Sequence, residues 1–244
     1  MNIQTSNTTP PEGITLVLGG TGKTGRRVAE RLKALGIPTR VASRSATPAF
    51  EWNNPGTWQA ALDGVTAAYV TYAPDLAIPG ATEAIRAFVA KAVDLDVRRL
   101  VLLSGRGEAE AQLCERIVQD AGVEWTVIRA SWFNQNFSEG EFLGMVLDGA
   151  IALPASDIPE PFVDVDDIAD VAVAALTEDG HNGEIYEVTG PRMLTFTEAA
   201  REISRAAGRN ANVCDGVQRA LGRAPTDFAE FARRTAASGV WEAT

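Results

Sequence analysis

The chain has 244 residues, 45% of them hydrophobic and 22% charged, enough for a sizeable buried core and unlike a disordered, collagen-like or disulfide-framed protein. Asp and Glu outnumber Lys and Arg by 32 to 22, a net charge of −10, so the summed field repels a phosphate backbone and no nucleic-acid partner is expected. No apolar run approaches the roughly 18 residues of a membrane-spanning helix, and the opening residues lack the basic and apolar regions of a secretion signal, so neither membrane association nor export is expected.

Residues 1–13, polar and carrying Pro10-Pro11, read as a loose lead-in. Short β-branched or apolar runs follow at 14–18, 39–42, 67–71, 100–103 and 125–128, each of buried-strand length. Between them lie helix-length segments, clearest where Val28, Leu32 and Leu35 precede Gly36 and where Ile85, Phe88, Val89 and Ala92 share a face. Alternation of this kind predicts an α/β fold, a doubly wound parallel sheet, because parallel neighbours need a crossover connection. Residues 14–130 form the core of that sheet in this reading. The remainder, 131–244, supplies a helix at 165–176, a further strand at 184–188 and a reduced helical cap with helices near 197–207 and 226–237. Cys114 and Cys214, far apart, fit a reducing, cytoplasmic setting where thiols stay free.

The strongest motif is Gly19-Gly20-Thr21-Gly22-Lys23-Thr24-Gly25, between the first strand and the first helix. Three glycines at this spacing permit a tight turn, a close approach of backbone to a pyrophosphate, and close packing of helix on strand. The helix start then offers unpaired N–H groups and a positive dipole end to phosphates. Gly22-Lys23-Thr24 also resembles the end of a nucleoside-triphosphate loop, but that motif needs a glycine where Val17 stands. At the end of the second strand, where an acidic residue would bind ribose hydroxyls, the chain reads Ser43-Arg44-Ser45. A guanidinium flanked by hydroxyls suits a 2′-phosphate, which predicts NADP(H) in preference to NAD(H). The other reading of Arg44 is a surface residue at a strand end.

Tyrosine followed four residues later by lysine, a common proton-donor pair in carbonyl reduction, is absent: Tyr69, Tyr72 and Tyr186 precede Ala73, Leu76 and Gly190 at that spacing. A single histidine, His181 beside Asn182-Gly183, reads as a turn residue and cannot build a histidine triad or a multi-histidine metal site. The acidic run Asp157, Glu160, Asp164, Asp166, Asp167 and Asp170 reads as helix capping in preference to a metal site, since its last members fall at a helix start.

Taken together, GGTGKTG, VASRS, LVLLSGRGE, WTVIRASWFNQNF, PFVDVDDIADVAVAAL and GEIYEVTGPRMLTFTEA resemble the NmrA-like group of atypical short-chain dehydrogenases/reductases, from about residue 14 to 208. The resemblance implies a Rossmann fold, an NADP-type cofactor, strand ends facing the nicotinamide, and a smaller carboxy-terminal part over the substrate. It implies that Thr71, Tyr72, Ala73 and Pro74 run beside the adenosine and pyrophosphate, and that Ser104 and Gly105 approach the nicotinamide ribose. Ala130, Ser131, Trp132 and Phe133 border the carboxamide, and Trp132, Phe133, Asn134 and Phe137 the substrate pocket; core packing is an equal reading for the aromatics. The chain departs from relatives in running from Ala211-Asn212-Val213-Cys214 straight into the ending Asp215 to Arg223, without a further helical stretch. An open cleft, a cavity closed by a second subunit in a homodimer, and a pocket without catalysis are the three consequences considered.

Two functions fit. One is an NADPH-dependent oxidoreductase that passes hydride to a quinone, enone or similar conjugated small-molecule acceptor, with Ser104, Tyr72 and Glu108 as candidate proton donors. The other is a non-catalytic NADP(H)-binding redox sensor. The cofactor reading makes a specific prediction: Arg44→Asp raises the Kd for NADPH while leaving that for NADH nearly unchanged in a binding titration, whereas equal losses would contradict a phosphate contact at Arg44.

Overall fold

Six strands, β1 (Ile14–Leu18), β2 (Thr39–Ala42), β3 (Val65–Val70), β4 (Arg99–Gly105), β5 (Glu124–Ala130) and β6 (Glu184–Val188), form a sheet in the order β2-β1-β3-β4-β5-β6. Every neighbouring pair is parallel. The computed structural model describes residues 13–149 and 158–206, together with Arg233 and Ala237. Contacts divide the chain into two compact units, Met1–Glu198 and Ala199–Thr244; the sheet belongs to the first. The helix expected near 226–237 falls almost wholly outside the described residues, as do Asp157, Cys214 and the junction after Val213 on which the shortened cap rests.

The central strands β1 and β3 and the middle of β4 are apolar and buried because both faces of the sheet are covered there, whereas the edge strand β6 is largely exposed. With a side-chain period of two, Leu16, Leu18, Ala68, Val70, Leu100 and Leu102 enter one layer, and Val17, Ala67, Tyr69 and Val101 the other. Helices α2 (Trp58–Leu62), α3 (Ala81–Asp94) and α4 (Ala109–Gln119) cover the first face, while α1 (Lys23–Ala34) and α7 (Val165–Thr177) cover the second. Two short helices, α5 (Asn136–Glu139) and α6 (Leu143–Leu147), follow β5, and α8 (Phe196–Ala206) follows β6.

The chain runs from β1 outward to β2 and then crosses back to place β3 on the other side of β1. That reversal leaves a crevice beyond the carboxyl ends of β1 and β3, the place where open α/β sheets bind ligands. Between β2 and α2 the chain adds no strand but an aromatic layer: Phe50 and Trp58 pack on Phe88 of α3 at ring distances of 5.7 Å each. Trp52 donates its indole hydrogen to the Thr71 carbonyl at 3.2 Å and lies 4.9 Å from the Tyr72 ring, which fixes the segment after β3.

The strands expected at 14–18, 39–42 and 184–188 have those bounds, whereas β3 begins at Val65 and stops before Thr71. Thr71 leaves the ladder because its hydroxyl donates to the Leu18 carbonyl at 3.1 Å, closing the ends of β3 and β1 together. On the second face, α7 lays Val165, Ile168, Ala169 and Ala172 against the layer that holds Val28 and Leu32 of α1. Ile168 is fully buried there. Ile168→Ala is expected to destabilise the protein by about 2–5 kcal/mol, read as a lower denaturant midpoint at unchanged m-value.

Candidate cofactor cleft

The glycine turn closes the lower end of a cleft of about 790 Å³ at the β1/β3 crossover. Gly19 takes a positive φ of 62°, and the Gly22 N–H donates to its carbonyl at 2.8 Å. A Cβ on Gly25 would strike the Gly19 carbonyl, so α1 can rest directly on the turn only with glycine there. Gly22 is the N-cap of α1 with no side-chain cap, and the first turn of the helix carries no acidic residue. The first N–H groups of α1 therefore keep their capacity to bind an anion. Thr21, Gly22, Lys23 and Thr24 line the cleft, while Gly19, Gly20 and Gly25 shape the turn behind it.

Thr71, Tyr72 and Ala73 form the next wall, and Ser104 and Gly105 at the end of β4 the floor beyond. The Glu108 carboxylate lies over the Cα of Gly105. Burial first, and then the charges of Asp75 and Glu110, push its pKa above the usual carboxylate range. Ser104 donates its hydroxyl hydrogen to Glu115 at 2.6 Å. Tyr69, by contrast, is wholly buried within the second-face layer.

At the far end stand Ala130, Ser131, Trp132 and Phe133. Trp132 is 44% exposed and stacks on Phe142 at 5.9 Å, offering one aromatic surface to the cleft. Phe137 does not line the cleft; it is buried among Phe142, Phe162 and Phe196, so it supports the aromatic wall from behind. Asn134 also stays outside the cleft lining, its backbone N–H bonded to the Val163 carbonyl at 2.8 Å. Ser43 and Arg44 are likewise not in the lining; Arg44 is exposed, and the Ser43 and Ser45 hydroxyls are 3.3 Å apart. The Gly20 N–H reaches the Ala42 carbonyl at 3.4 Å, which sets this segment beside the glycine turn.

Some residues of the cleft carried no signal in the sequence reading. Asn136 and Glu139 of α5 fold back over α1: Lys23 Nζ donates to Asn136 Oδ1 at 2.9 Å, and Glu139 pairs with Arg26 at 2.6 Å and Arg27 at 2.7 Å. The acidic run divides its work. Asp164 caps α7 by accepting from the Asp166 N–H, while Asp166 and Asp170 pair with Arg31 at 2.7 and 2.5 Å. His181 lies in a turn, its Nδ1 2.8 Å from the Tyr186 hydroxyl.

No family model matches the chain. Agroclavine dehydrogenase of Claviceps fusiformis is 32% identical over 213 residues, 80% of this chain and 74% of that protein. NAD(P)H azoreductase of Xenophilus azovorans is 30% identical over 223 residues, 80% of this chain and 74% of its own. Among solved structures, the triphenylmethane reductase of Citrobacter sp. complexed with NADP(H) superposes with a TM-score of 0.64 at 19% identity, covering 95% of this chain and 92% of that one. No helix among the described residues is long and apolar enough to cross a membrane.

The strap of α5 over α1 has a pH signature. Hydrogen bonds from Arg27 and then Arg26 outweigh burial and hold the Glu139 carboxyl at about 2, against an ordinary value of 4.5. Its contribution to stability is therefore complete above the ordinary value and is lost as the pH falls toward 2. Wild type should exceed Glu139→Gln in stability by at most about 1 kcal/mol at neutral pH, because the pairs are partly solvated. Denaturation at a series of pH values should show that difference vanishing between about pH 5 and 2.

Proposed function

The chain belongs to the NAD(P)-binding oxidoreductases of the Rossmann type, and on that footing we propose that it is an NADPH-dependent reductase of the NmrA-like group acting on a quinone, enone or similar conjugated acceptor. The observation that carries this reading is the uncapped start of α1, opening with the glycine turn into a cleft whose other end is walled by Trp132 and Phe133. The fit is chemical as well as spatial: backbone donors and Lys23 at one end suit a pyrophosphate, and a partly exposed aromatic surface at the other suits flat rings.

Gly19, Gly20, Thr21, Gly22, Lys23, Thr24 and Gly25 would hold the pyrophosphate by backbone and ammonium groups. Ser43 and Arg44 would take the 2′-phosphate, a role favoured by the free exposure of Arg44 next to the turn. Thr71, Tyr72 and Ala73 would flank the adenosine side; Ser104, Gly105, Ala130 and Ser131 the nicotinamide side; and Trp132 and Phe133, backed by Phe137, the acceptor. Bound there, the reduced nicotinamide supplies a hydride. The protein contributes alignment of the two reactants and exclusion of water from the floor around Ser104, effects that together lower a barrier by several kcal/mol as an order of magnitude.

A conjugated acceptor asks little of a proton donor, because a hydroquinone or enolate oxygen is protonated by water. Glu108 is the donor candidate best supported, since burial and neighbouring carboxylates favour its protonated form. Tyr72 is held against Trp52, and Ser104 has its proton engaged by Glu115. The azoreductase relative, named for the reduction of an azo group, supports a conjugated acceptor.

The test measures two quantities separately: binding of NADPH, and loss of its absorbance on adding quinones, enones and azo compounds. Acceptor-dependent oxidation that falls about tenfold or more in Gly22→Val, with the fold retained, is the expected result. Tight binding without oxidation by any acceptor would assign the redox-sensor role instead.

A further inference from the structure

Ser104, at the end of β4, is the register partner of Arg129 on β5, which is itself the register partner of Glu187 on β6. Register partners point to the same face, here the face that α4 covers. Glu115 of α4 comes down onto this rung with its side chain 2% exposed. It accepts from Arg129 Nη2 at 2.6 Å and from Nε at 3.0 and 3.1 Å, and from Ser104 Oγ at 2.6 Å. The rung continues outward from Arg129 Nη1 to Glu187 at 3.4 Å and from Glu187 to Arg106 at 2.9 Å. Ser104 and Arg106, its two ends, both line the cleft.

The direction of the Ser104 bond has a chemical consequence. A carboxylate forked by a guanidinium offers only acceptor sites, and a serine hydroxyl has a single hydrogen. With that hydrogen given to Glu115, Ser104 presents only lone pairs to the cleft. We infer that Glu115 is a positioning residue that makes Ser104 an obligate hydrogen-bond acceptor, selecting a ligand group that donates there, and that this group is a hydroxyl of the nicotinamide ribose. The inference rests on the reading of the cleft as a dinucleotide site and sharpens it: Ser104 acts in binding and is not a proton donor to the acceptor.

Glu115→Gln tests the direction of the bond. Arg129 has only donors, so the amide oxygen turns to Arg129 and the amide NH2 to Ser104, which then accepts and releases its own hydrogen toward the cleft. Ser104→Ala removes the acceptor while leaving the Glu115–Arg129 pair in place. Calorimetric titrations use NADPH, NADH and ADP, the last having the adenosine half and the pyrophosphate but no nicotinamide ribose. Each variant is expected to raise the Kd of the tighter dinucleotide about 5–10-fold and to leave that of ADP unchanged. In the Ser104→Ala background, Glu115→Gln should add less than about a twofold change, since the two act through one bond.

A purely structural Glu115 would weaken ADP and dinucleotide alike and would do so in both backgrounds. Wild-type affinity in Glu115→Gln, or in Ser104→Ala, overturns the inference while leaving the dinucleotide reading intact. Failure of the wild-type protein to bind either dinucleotide overturns that reading and the inference with it. If Glu115→Gln does not fold, Ser104→Ala decides alone, because selective loss of the dinucleotide over ADP is required of it.

Discussion

The close approach of α1 to β1 governs the rest of the molecule. It depends on a missing atom: at Gly25 any Cβ would meet the Gly19 carbonyl, so a larger residue would lift the helix off the turn. With the helix seated, its first N–H groups converge on the crevice left where the chain reverses from β2 to β3. Thr71 reaches from the end of β3 to the Leu18 carbonyl and closes that crevice from the other side. Turn, helix start and crossover are thus one arrangement, and the walls contributed by β4 and β5 are additions to it.

The charges around the cleft are arranged to leave this end open to an anion. Arg26, Arg27 and Arg31 of α1 are engaged by Glu139, Asp166 and Asp170, so their field is largely spent on holding α5 and α7 in place. Lys23 is bonded to the neutral Asn136 and keeps its charge for the cleft. Backbone donors and one ammonium group, and not a crowd of arginines, define the end of the cleft at the glycine turn. The opposite end relies on aromatic surface, with Trp132 held between Phe142 and Phe196.

Features set by local pattern were legible in the sequence, and features set by distant partners were not. The glycine turn, the runs at 14–18 and 39–42 and the alternation of strands with helices follow from spacing alone, and they led to the correct sheet. Helix α4 has no long apolar stripe to mark it in the sequence: its buried positions are Ala111, Cys114, Glu115 and Val118. Glu115 is intelligible only once β4 and β5 lie side by side, since Ser104 and Arg129 meet through register and not through sequence. The acidic run before α7 was readable as capping at Asp164, but the pairing of Asp166 and Asp170 with α1 spans some 135 residues or more and leaves no local trace. Of the aromatics after β5, Trp132 lines the cleft and Phe137 packs behind it, a division that their spacing in the sequence does not reveal.

The partnership of α1 with α7 also sets the order in which the molecule can be completed. The glycine turn and α1 emerge early from a ribosome, yet the apolar stripe of Val28, Ala29 and Leu32 finds its covering helix only when residues 165–177 have been made. Until then the nascent chain carries an uncovered sheet face and an arginine row without its carboxylates. Closing contacts over such separations is slow compared with local turns and helices. The half that carries the glycine turn is therefore the half that waits, and a chain halted before α7 would expose the second-face layer to aggregation.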